Sequence, residues 1–323
     1  MKMSESLRSI QVFVATYEER SFTAAAKREH ATQSGVSQHV RKLEDRLGVK
    51  LFSRDRGRVV PTPAGDAYYE RCVELLRLAN AADNAASRFG GGLTGEIVVG
   101  LMPTMTRSAM APALSRFTNE QPNVAIRVVE GYSAVLTQQV RAGELDFAIV
   151  PAIPNTPGIR SRHFLRTIEV LVSRKELRLR HLEPVRLKNL KSLRLVVPGP
   201  QNTRRRSIET YLASNGLRCE RVLELDAMLG TLDLVARSDW VTILPGIMMA
   251  ADIKRPSVTI NPIVDPVFTL DLVLIEPSRR AMSPAARSFL EMLQVESDRL
   301  EEPWAAYLAG KEGKRHVSEA LTG

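Results

Sequence analysis

The stretch that decides the fold of the first domain covers positions 32–47 and reads TQSGVSQHVRKLEDRL. Four of its apolar residues are four, three and four positions apart, namely Val36, Val40, Leu43 and Leu47. That spacing is typical of the buried face of an α-helix. Thr32 stands just before the first turn, where a hydroxyl can accept a hydrogen bond from a free backbone N–H. The sequence therefore predicts a helix over Gln33–Leu47.

The opposite face of this helix is polar at its N-terminal end and basic beyond it. Side chains of this kind can reach base edges in a major groove, while the arginine, the lysine and the helix N-terminus can meet phosphates. A solvated surface helix has the same pattern, and for this helix alone the two interpretations are equally favoured. The candidate DNA-contacting residues are Thr32, Gln33, Ser34, Ser37, Gln38, Arg41 and Lys42.

The segments on either side favour DNA binding. Ser21–Ala26 is rich in alanine and predicts a short helix over Phe22–Glu29, only a few residues before the next one, as a helix-turn-helix requires. Positions 51–62 predict a β-hairpin with arginines around Gly57, which can follow a phosphate backbone or enter a minor groove. The alternative is a solvated basic turn. The candidate contacts here are Arg54, Arg56, Arg58 and Thr62.

The positive charge of the chain is concentrated in the same region. Residues 1–62 contain 12 Lys and Arg against 7 Asp and Glu, a net charge of +5 out of +9 for all 323 residues. About a fifth of the chain thus carries more than half of the excess. Because neutralising phosphates releases counterions, such a concentration favours a nucleic-acid partner.

Four linked motifs in this region resemble the N-terminal signature of LysR-type transcriptional regulators. They are Phe22-Thr23-x-Ala25-Ala26, Thr32-Gln33-Ser34-x-Val36-Ser37, Leu43-Glu44-x-x-Leu47-Gly48-x-x-Leu51-Phe52-x-Arg54 and Thr62-Pro63-Ala64-Gly65, within residues 7–90. The resemblance implies an α-rich winged helix-turn-helix domain, DNA binding as a dimer, and a periplasmic-binding-protein-like sensor domain. Glu29 and Pro61 depart from the family pattern, and Glu29 puts the local packing in question.

A long helix is predicted from Pro63 to Phe89. Six of its residues are spaced alternately four and three positions apart, as in a coiled coil: Tyr68, Cys72, Leu75, Ala79, Ala82 and Ala86. We call these residues the seam and predict that they form a dimer interface. Packing of this helix against its own DNA-binding domain is the alternative.

After the linker Gly90-Gly91-Gly92, apolar strand patterns alternate with amphipathic helices. This alternation predicts an α/β domain with largely parallel sheets. Weaker motifs extend the family resemblance over about residues 96–293. The resemblance implies two Rossmann-like subdomains. The predicted domains are 1–62 for DNA binding, 63–92 for the linker helix and hinge, and 93–300 for effector binding, with a tail over 301–323. Subdomain I would comprise 93–163 and 268–300, and subdomain II would comprise 164–267.

Two strand-to-helix turns suggest an effector site, because such turns offer N–H groups and a positive dipole end to an anion. They contain Pro103 and Thr104 in one turn, and Gln201, Asn202 and Thr203 in the other. The family resemblance implies Ser133 and Thr242 as further effector contacts. Ordinary helix capping is the alternative for Thr104 and Thr203. Arg204-Arg205-Arg206 could supply a cation to the cleft, although a solvated helix face is the more common role of such a run.

The predicted function is a DNA-binding transcription regulator controlled by a small, anionic effector such as a carboxylate. The predicted partners are double-stranded DNA and a second copy of the chain, as a dimer or a dimer of dimers, with RNA polymerase possible. No enzyme motif, cofactor motif, metal-ligand spacing or membrane span is recognisable in the sequence, and Cys72 and Cys219 form no disulfide framework. A cytoplasmic location is expected. The alternative is an α/β enzyme that binds a small molecule and carries an accessory nucleic-acid module.

Overall fold

The computed structural model describes residues 6–55, 58–87, 92–175, 179–190, 193–254 and 256–309. The N-terminal part consists of three helices, a two-stranded hairpin and a long helix. Their bounds are α1 Leu7–Glu19, α2 Phe22–Arg28, α3 Gln33–Leu47, β1 Phe52–Asp55, β2 Arg58–Pro61 and α4 Pro63–Ser87. The helix predicted over Gln33–Leu47 is confirmed at both ends.

The first three helices pack through small and aromatic residues. Ala25 and Ala26 are buried on α2, so α2 approaches α1 and α3 closely. Phe13 of α1 is fully buried, and its ring centroid lies 5.0 Å from that of Tyr68 on α4 and 5.5 Å from that of Phe52 on β1. One aromatic cluster therefore joins the helical core to the hairpin and to the start of the long helix.

The rest of the chain forms an α/β domain. Its strands are β3 Gly95–Leu101, β4 Val124–Glu130, β5 Phe147–Pro151, β6 Ile159–Ser173, β7 Arg194–Val197, β8 Arg221–Glu224, β9 Val241–Pro245, β10 Thr259–Pro262 and β11 Thr269–Pro277. Its helices are α5 Pro103–Thr106, α6 Met110–Glu120, α7 Ser133–Ala142, α8 Thr203–Ser214, α9 Met228–Ala236, α10 Gly246–Met249, α11 Pro284–Glu301 and α12 Ala305–Leu308.

The strands form a mixed sheet system in the order β4-β3-β5-β11-β6-β9-β7-β8, with β10 paired to β6. The strands β3, β4 and β5 are mutually parallel, as are β7, β8 and β9. The strands β6, β10 and β11 run antiparallel to their neighbours. The prediction of largely parallel sheets was therefore wrong for the middle of the domain, where the chain passes between the two halves.

Two long strands connect the halves. The 15-residue β6 pairs with β11 over Ile159–Ile168 and with β9 over Glu169–Val172. Its first half thus belongs to subdomain I, which contains β3, β4, β5, α6, α7 and α11. Its second half belongs to subdomain II, which contains β7 to β10, α8 and α9. The chain returns to subdomain I at β11.

The folded sensor domain extends beyond residue 300. After α11, a 3-10 turn over Glu302–Trp304 leads into α12. Trp304 is fully buried and Tyr307 is nearly so, in the apolar core of subdomain II. The predicted tail boundary at 301 was therefore wrong, because these two aromatic side chains keep residues 302–308 packed on the fold. Within the described ranges, no helix is both long and apolar enough to cross a membrane.

Candidate nucleic-acid interface and effector site

The second helix of the helix-turn-helix presents its polar face to solvent. The Thr32 hydroxyl accepts a hydrogen bond from the Gly35 N–H at 3.1 Å, which caps α3. Ser37 is half-buried, and the other predicted contact residues on this helix are exposed: Thr32, Gln33, Ser34, Gln38, Arg41 and Lys42. On the opposite face, Val36, Val40 and Leu43 are buried in the helical core. The arrangement leaves a polar and basic helix face free to enter a groove.

The Glu29 side chain, which departs from the family pattern, has a partner in this fold. The Arg8 guanidinium donates to its carboxylate at 2.9 Å, so α1 and the end of α2 are joined by an ion pair instead of an apolar contact. The departure therefore does not disrupt the helix-turn-helix.

Glu44 joins the recognition helix to the hairpin. One carboxylate oxygen accepts hydrogen bonds from the N–H groups of Leu51 at 2.9 Å and Phe52 at 3.2 Å, and the other accepts from Lys50 at 2.8 Å. These bonds account for two backbone donors that would otherwise lack partners where the chain leaves α3. Glu44 lies in a motif that is visible in the sequence, but this role could not be predicted from the motif.

The hairpin forms a small wing. Arg54 and Arg58 lie on β1 and β2, where the register pairs Arg54 with Val59 and Asp55 with Arg58. Arg56 lies outside the described residues. The Thr62 hydroxyl donates to the Lys50 carbonyl at 2.6 Å and accepts from the Gly65 N–H at 3.1 Å. Thr62 therefore has a structural role that sequence analysis missed.

The long helix α4 divides into two parts. Tyr68 and Cys72 pack in the aromatic and aliphatic core of the N-terminal domain, and Cys72 is only 3% exposed. Cys72 is therefore inaccessible to a partner, and for both residues the structure favours the alternative, packing against the helix's own domain. The second part of the helix has an exposed apolar stripe, formed by Leu75, Leu78, Ala82 and Ala86. Ala79 lies beside this stripe and is half-buried. Leu78, which is 71% exposed, was missed by sequence analysis because it lies one position from the predicted seam.

Two of the predicted effector residues meet where the two subdomains contact each other. The Ser133 hydroxyl, at the N-terminus of α7, donates to the Thr203 hydroxyl at the N-terminus of α8 at 3.2 Å. A depression on the surface is lined by residues of both subdomains. Pro103, Gly131 and Tyr132 belong to subdomain I, and the segment 226–230 belongs to subdomain II. Thr104 is buried beside Pro103, and Gln201 is exposed near Thr203.

Several of these side chains are already engaged within the fold. The Asn202 amide oxygen accepts from the Arg204 N–H at 3.0 Å and caps α8. The Thr242 hydroxyl is buried and donates to the Val196 carbonyl at 3.1 Å. Each of these contacts secures a strand or a helix end.

Arg204 does not point into the cleft as a free cation. Its guanidinium is buried and donates to the Glu169 carboxylate at 2.7 Å and to the Ile243 carbonyl at 3.0 Å. Arg205 pairs with Glu209 and Glu224 instead. The suggestion that this arginine run supplies a cation to the effector was therefore wrong for these two residues, because carboxylates of the same domain neutralise them.

The depression also contains acidic groups that sequence analysis did not identify. Glu130 and Asp226 line it beside Tyr132, and burial together with these two carboxylates raises the pKa of the Tyr132 hydroxyl. No side chain caps the N-termini of α7 and α9, so backbone N–H groups also face this region. Within the described part of the chain, no three His, Cys, Asp or Glu side chains are grouped to hold a metal ion.

Comparisons with known proteins agree with this architecture. A profile described as "Bacterial regulatory helix-turn-helix protein, lysR family" matches residues 7–66. A second profile, "LysR substrate binding domain", matches residues 90–297. Together the two profiles cover most of the chain.

Individual relatives and solved structures are similar along almost their whole length. The HTH-type transcriptional regulator YfeR of Shigella flexneri is 25% identical over 96% of this chain and 98% of that protein. The nitrogen assimilation regulatory protein nac of Klebsiella aerogenes is 26% identical over 89% and 94%. A full-length OxyR structure from Pseudomonas aeruginosa shares the fold with a TM-score of 0.61 at 19% identity, covering 94% of this chain and 98% of that one. The chain therefore belongs to the LysR family of bacterial helix-turn-helix transcription regulators.

Proposed function

We propose that this regulator reads double-stranded DNA with the exposed face of α3 and holds the phosphate backbone with the wing. The observation that carries the proposal is the solvent exposure of Gln38 and Arg41, one turn apart on a helix whose other face is buried. Both side chains can form bidentate contacts with base edges. Arg54, Arg56 and Arg58 would contact phosphates. A solved structure of CbnR, which has the same fold, contains its target DNA.

Alanine at Gln38 or Arg41 tests this proposal. We expect each change to weaken binding to a duplex from the chain's own upstream region by about 5- to 150-fold, corresponding to about 1–3 kcal/mol for a lost base contact. Alanine at Arg56 should weaken binding to specific and random duplexes alike and reduce the salt slope by about one. Electrophoretic mobility shifts at several salt concentrations measure both effects.

Gln138→Ala and Arg116→Ala provide matched controls, since both side chains are exposed on helices of the sensor domain. They should bind DNA as the wild type does. Unchanged affinity in the Gln38 and Arg41 variants would contradict the proposed reading face.

We further propose that the effector occupies the depression between the subdomains. Contacts would come from Pro103, Thr104, Ser133, Gln201, Asn202, Thr203 and Thr242, the residues predicted from sequence. The uncapped N–H groups of α7 favour a carboxylate, whereas Glu130 and Asp226 disfavour an effector with several negative charges. A small monocarboxylate fits both conditions. Thermal-shift measurements with a panel of monocarboxylates should find a stabilising ligand among them, and stabilisation by amines alone would contradict this choice.

The proposal also includes assembly and cellular context. The exposed stripe of α4 would pair two copies as a dimer, and two dimers could join into a tetramer that contacts RNA polymerase at a promoter. Because its relatives are transcriptional regulators, we infer that the chain acts on DNA in the cytoplasm and catalyses no reaction. The enzyme alternative is not favoured.

A further inference from the structure

The DNA-binding domain and subdomain I meet through a buried cluster of charged and phenolic groups. The Glu18 side chain, on α1, is completely buried and accepts hydrogen bonds from Arg28 at 2.5 Å, Tyr69 at 2.9 Å and Arg279 at 3.1 Å. Arg279 belongs to the sensor domain, between β11 and α11. Burial lowers the pKa of its guanidinium, and the nearby Arg28 lowers it further.

A second set of contacts lies beside the first. Glu19 accepts from Arg28 at 3.0 Å and from Arg141, at the end of α7, at 3.1 Å. The Gly158 N–H, just before β6, donates to the Tyr69 hydroxyl oxygen at 2.9 Å. A Cβ atom at Gly158 would come within 2.8 Å of the Glu18 carboxyl carbon, so a larger residue there would displace the buried Glu18 side chain.

We call these residues the docking cluster: Glu18, Glu19, Arg28, Tyr69, Arg141, Gly158 and Arg279. Two carboxylates pair with three guanidinium groups here, so each charge of the cluster has a partner of opposite sign. Transferring charged groups from water into the protein interior costs free energy unless the ion pairs have good geometry and the remaining N–H donors find acceptors. The buried Arg28 Nε has no hydrogen-bond partner among the described residues, but every charge of the cluster lies against an opposite charge from a different element, and this favours one specific relative orientation of the two domains.

The helix α7 connects the docking cluster to the effector cleft. Its first residue, Ser133, contacts Thr203 across the cleft. Its last two carbonyls, on Arg141 and Ala142, accept from the Arg279 guanidinium at 3.1 and 3.2 Å. A ten-residue helix spans about 15 Å. The contact at the cleft and the contact at the docking cluster therefore lie at opposite ends of one continuous helix.

We propose that the docking cluster is the coupling contact of this regulator, through which α7 transmits the state of the effector cleft to the orientation of the DNA-binding domain. The reading face of α3 stays exposed while the domains are docked, so docking sets the direction of that face and does not cover it. An effector that favours one position of α7 favours one orientation of the domain, in proportion to its differential affinity for the two states.

Hydrogen exchange of the full chain, followed by mass spectrometry without DNA or effector, tests the docking. Arg279→Met removes one guanidinium, while Glu18 keeps Arg28 and Tyr69 as partners. We expect exchange of the peptides covering residue 158 and the end of α1 to increase about tenfold. Arg141→Met, which removes a half-exposed partner of Glu19, should act in the same direction without endangering the fold. Arg116→Met, which breaks an exposed ion pair on α6, is the control and should change neither peptide.

Ser133→Ala tests the transmission, because it removes the contact at the cleft end of α7 only. We expect exchange at residue 158 to rise about fivefold, although that residue lies at the other end of the helix. Unchanged exchange in both Arg279→Met and Arg141→Met overturns the docking, and an effect of Ser133→Ala confined to the cleft overturns the transmission. These outcomes are independent of the DNA-binding assays.

Discussion

At the scale of single residues, Arg204 shows how a side chain that looks suited to a ligand can serve the fold. It lies one residue into α8, beside the effector cleft, yet its guanidinium is paired with Glu169 on the crossing strand β6. Burial raises the pKa of the Glu169 carboxyl, and Arg204 opposes that rise. The pair ties the start of α8 to the strand that links the subdomains.

Arg204→Leu should therefore be strongly destabilising. It leaves the Glu169 carboxylate buried without its partner, which costs about 3–5 kcal/mol of unfolding free energy. Arg206→Leu, the same change on the exposed side of α8, should cost less than about 0.5 kcal/mol. Urea denaturation of both variants measures the difference, and equal losses would contradict the role given to Arg204. Glu169→Leu in the Arg204→Leu background should recover part of the loss.

Glu301, at the end of α11, gives the stability of the protein a particular pH dependence. It is 7% exposed, and burial raises the pKa of its carboxyl to about 8, moderated by the Thr167 hydroxyl and the Ile168 N–H. The folded protein keeps this proton between pH 4.5 and 8, whereas the unfolded chain releases it. The contribution of this proton to the free energy of unfolding is complete below pH 4.5 and is lost as the pH rises through 8, by an amount on the order of 5 kcal/mol.

Glu301→Gln should remove this dependence. Urea unfolding between pH 5 and pH 9 should show a smaller loss of stability in the variant than in the wild type, because the amide does not ionise. Glu291→Gln, at an exposed position of the same helix, should keep the wild-type slope. Identical slopes in all three proteins would show that Glu301 is ionised in the folded state at neutral pH.

At the scale of elements, α4 carries the proposed assembly interface. Its exposed stripe begins at Leu75, next to Leu76, which is still buried in the core of its own domain, and Leu78 is its most exposed large side chain. An exposed leucine on an amphipathic helix is explained if a second copy covers it.

Leu78→Glu should therefore disrupt assembly. A carboxylate from each copy would be buried in an apolar interface, and we expect dimer affinity to fall at least about 100-fold. Sedimentation velocity of the full chain measures this change. Val295→Glu places the same charge at an exposed apolar position on α11 and should leave the assembly intact. A dimer that persists in Leu78→Glu would exclude this stripe as the interface.

The elements also show what sequence patterns can and cannot predict. The bounds of α3 follow from its apolar spacing and from the capping position of Thr32. The first half of β6 does not, because its residues from Arg160 to His163 are exposed and polar, and only pairing with β11 makes them a strand. The predicted seam of α4 combines buried and exposed positions for a related reason. Heptad spacing shows which residues share a face, but not whether that face meets the same domain or a partner.

The docking cluster could not be predicted from the sequence. Its members come from α1, α2, α4, α7 and two connecting segments, and the most distant pair is 261 residues apart in the chain. No local pattern links Glu18 with Arg279, since each alone looks like a solvated surface charge. Glu44 on α3 is different, because its position in a recognisable motif was visible and only its hydrogen bonds were not.

At the scale of the whole molecule, the subdomains are joined by two strand crossings and by the C-terminal segment. The helix α11 packs in the core of subdomain I through Phe289 and Leu293, while Trp304, three residues after its end, fills the core of subdomain II. The C-terminal segment is thus a third connection, which limits how far one half can move relative to the other and thereby how the cleft can open.

Trp304→Ala should loosen subdomain II selectively. The loss of a fully buried indole costs about 3–5 kcal/mol, and the cavity lies against β6, β9 and α10, while the core around β3 and β4 is separate. Hydrogen exchange should therefore accelerate in β9 and β10 and stay unchanged in β3 and β4. Trp240→Ala, which truncates a half-buried indole on the outer side of the same core, controls for lost volume and should have a smaller effect. Equal acceleration in both subdomains would mean that they unfold as one unit, so that the C-terminal segment stabilises the whole sensor domain and does not act as a separate connection.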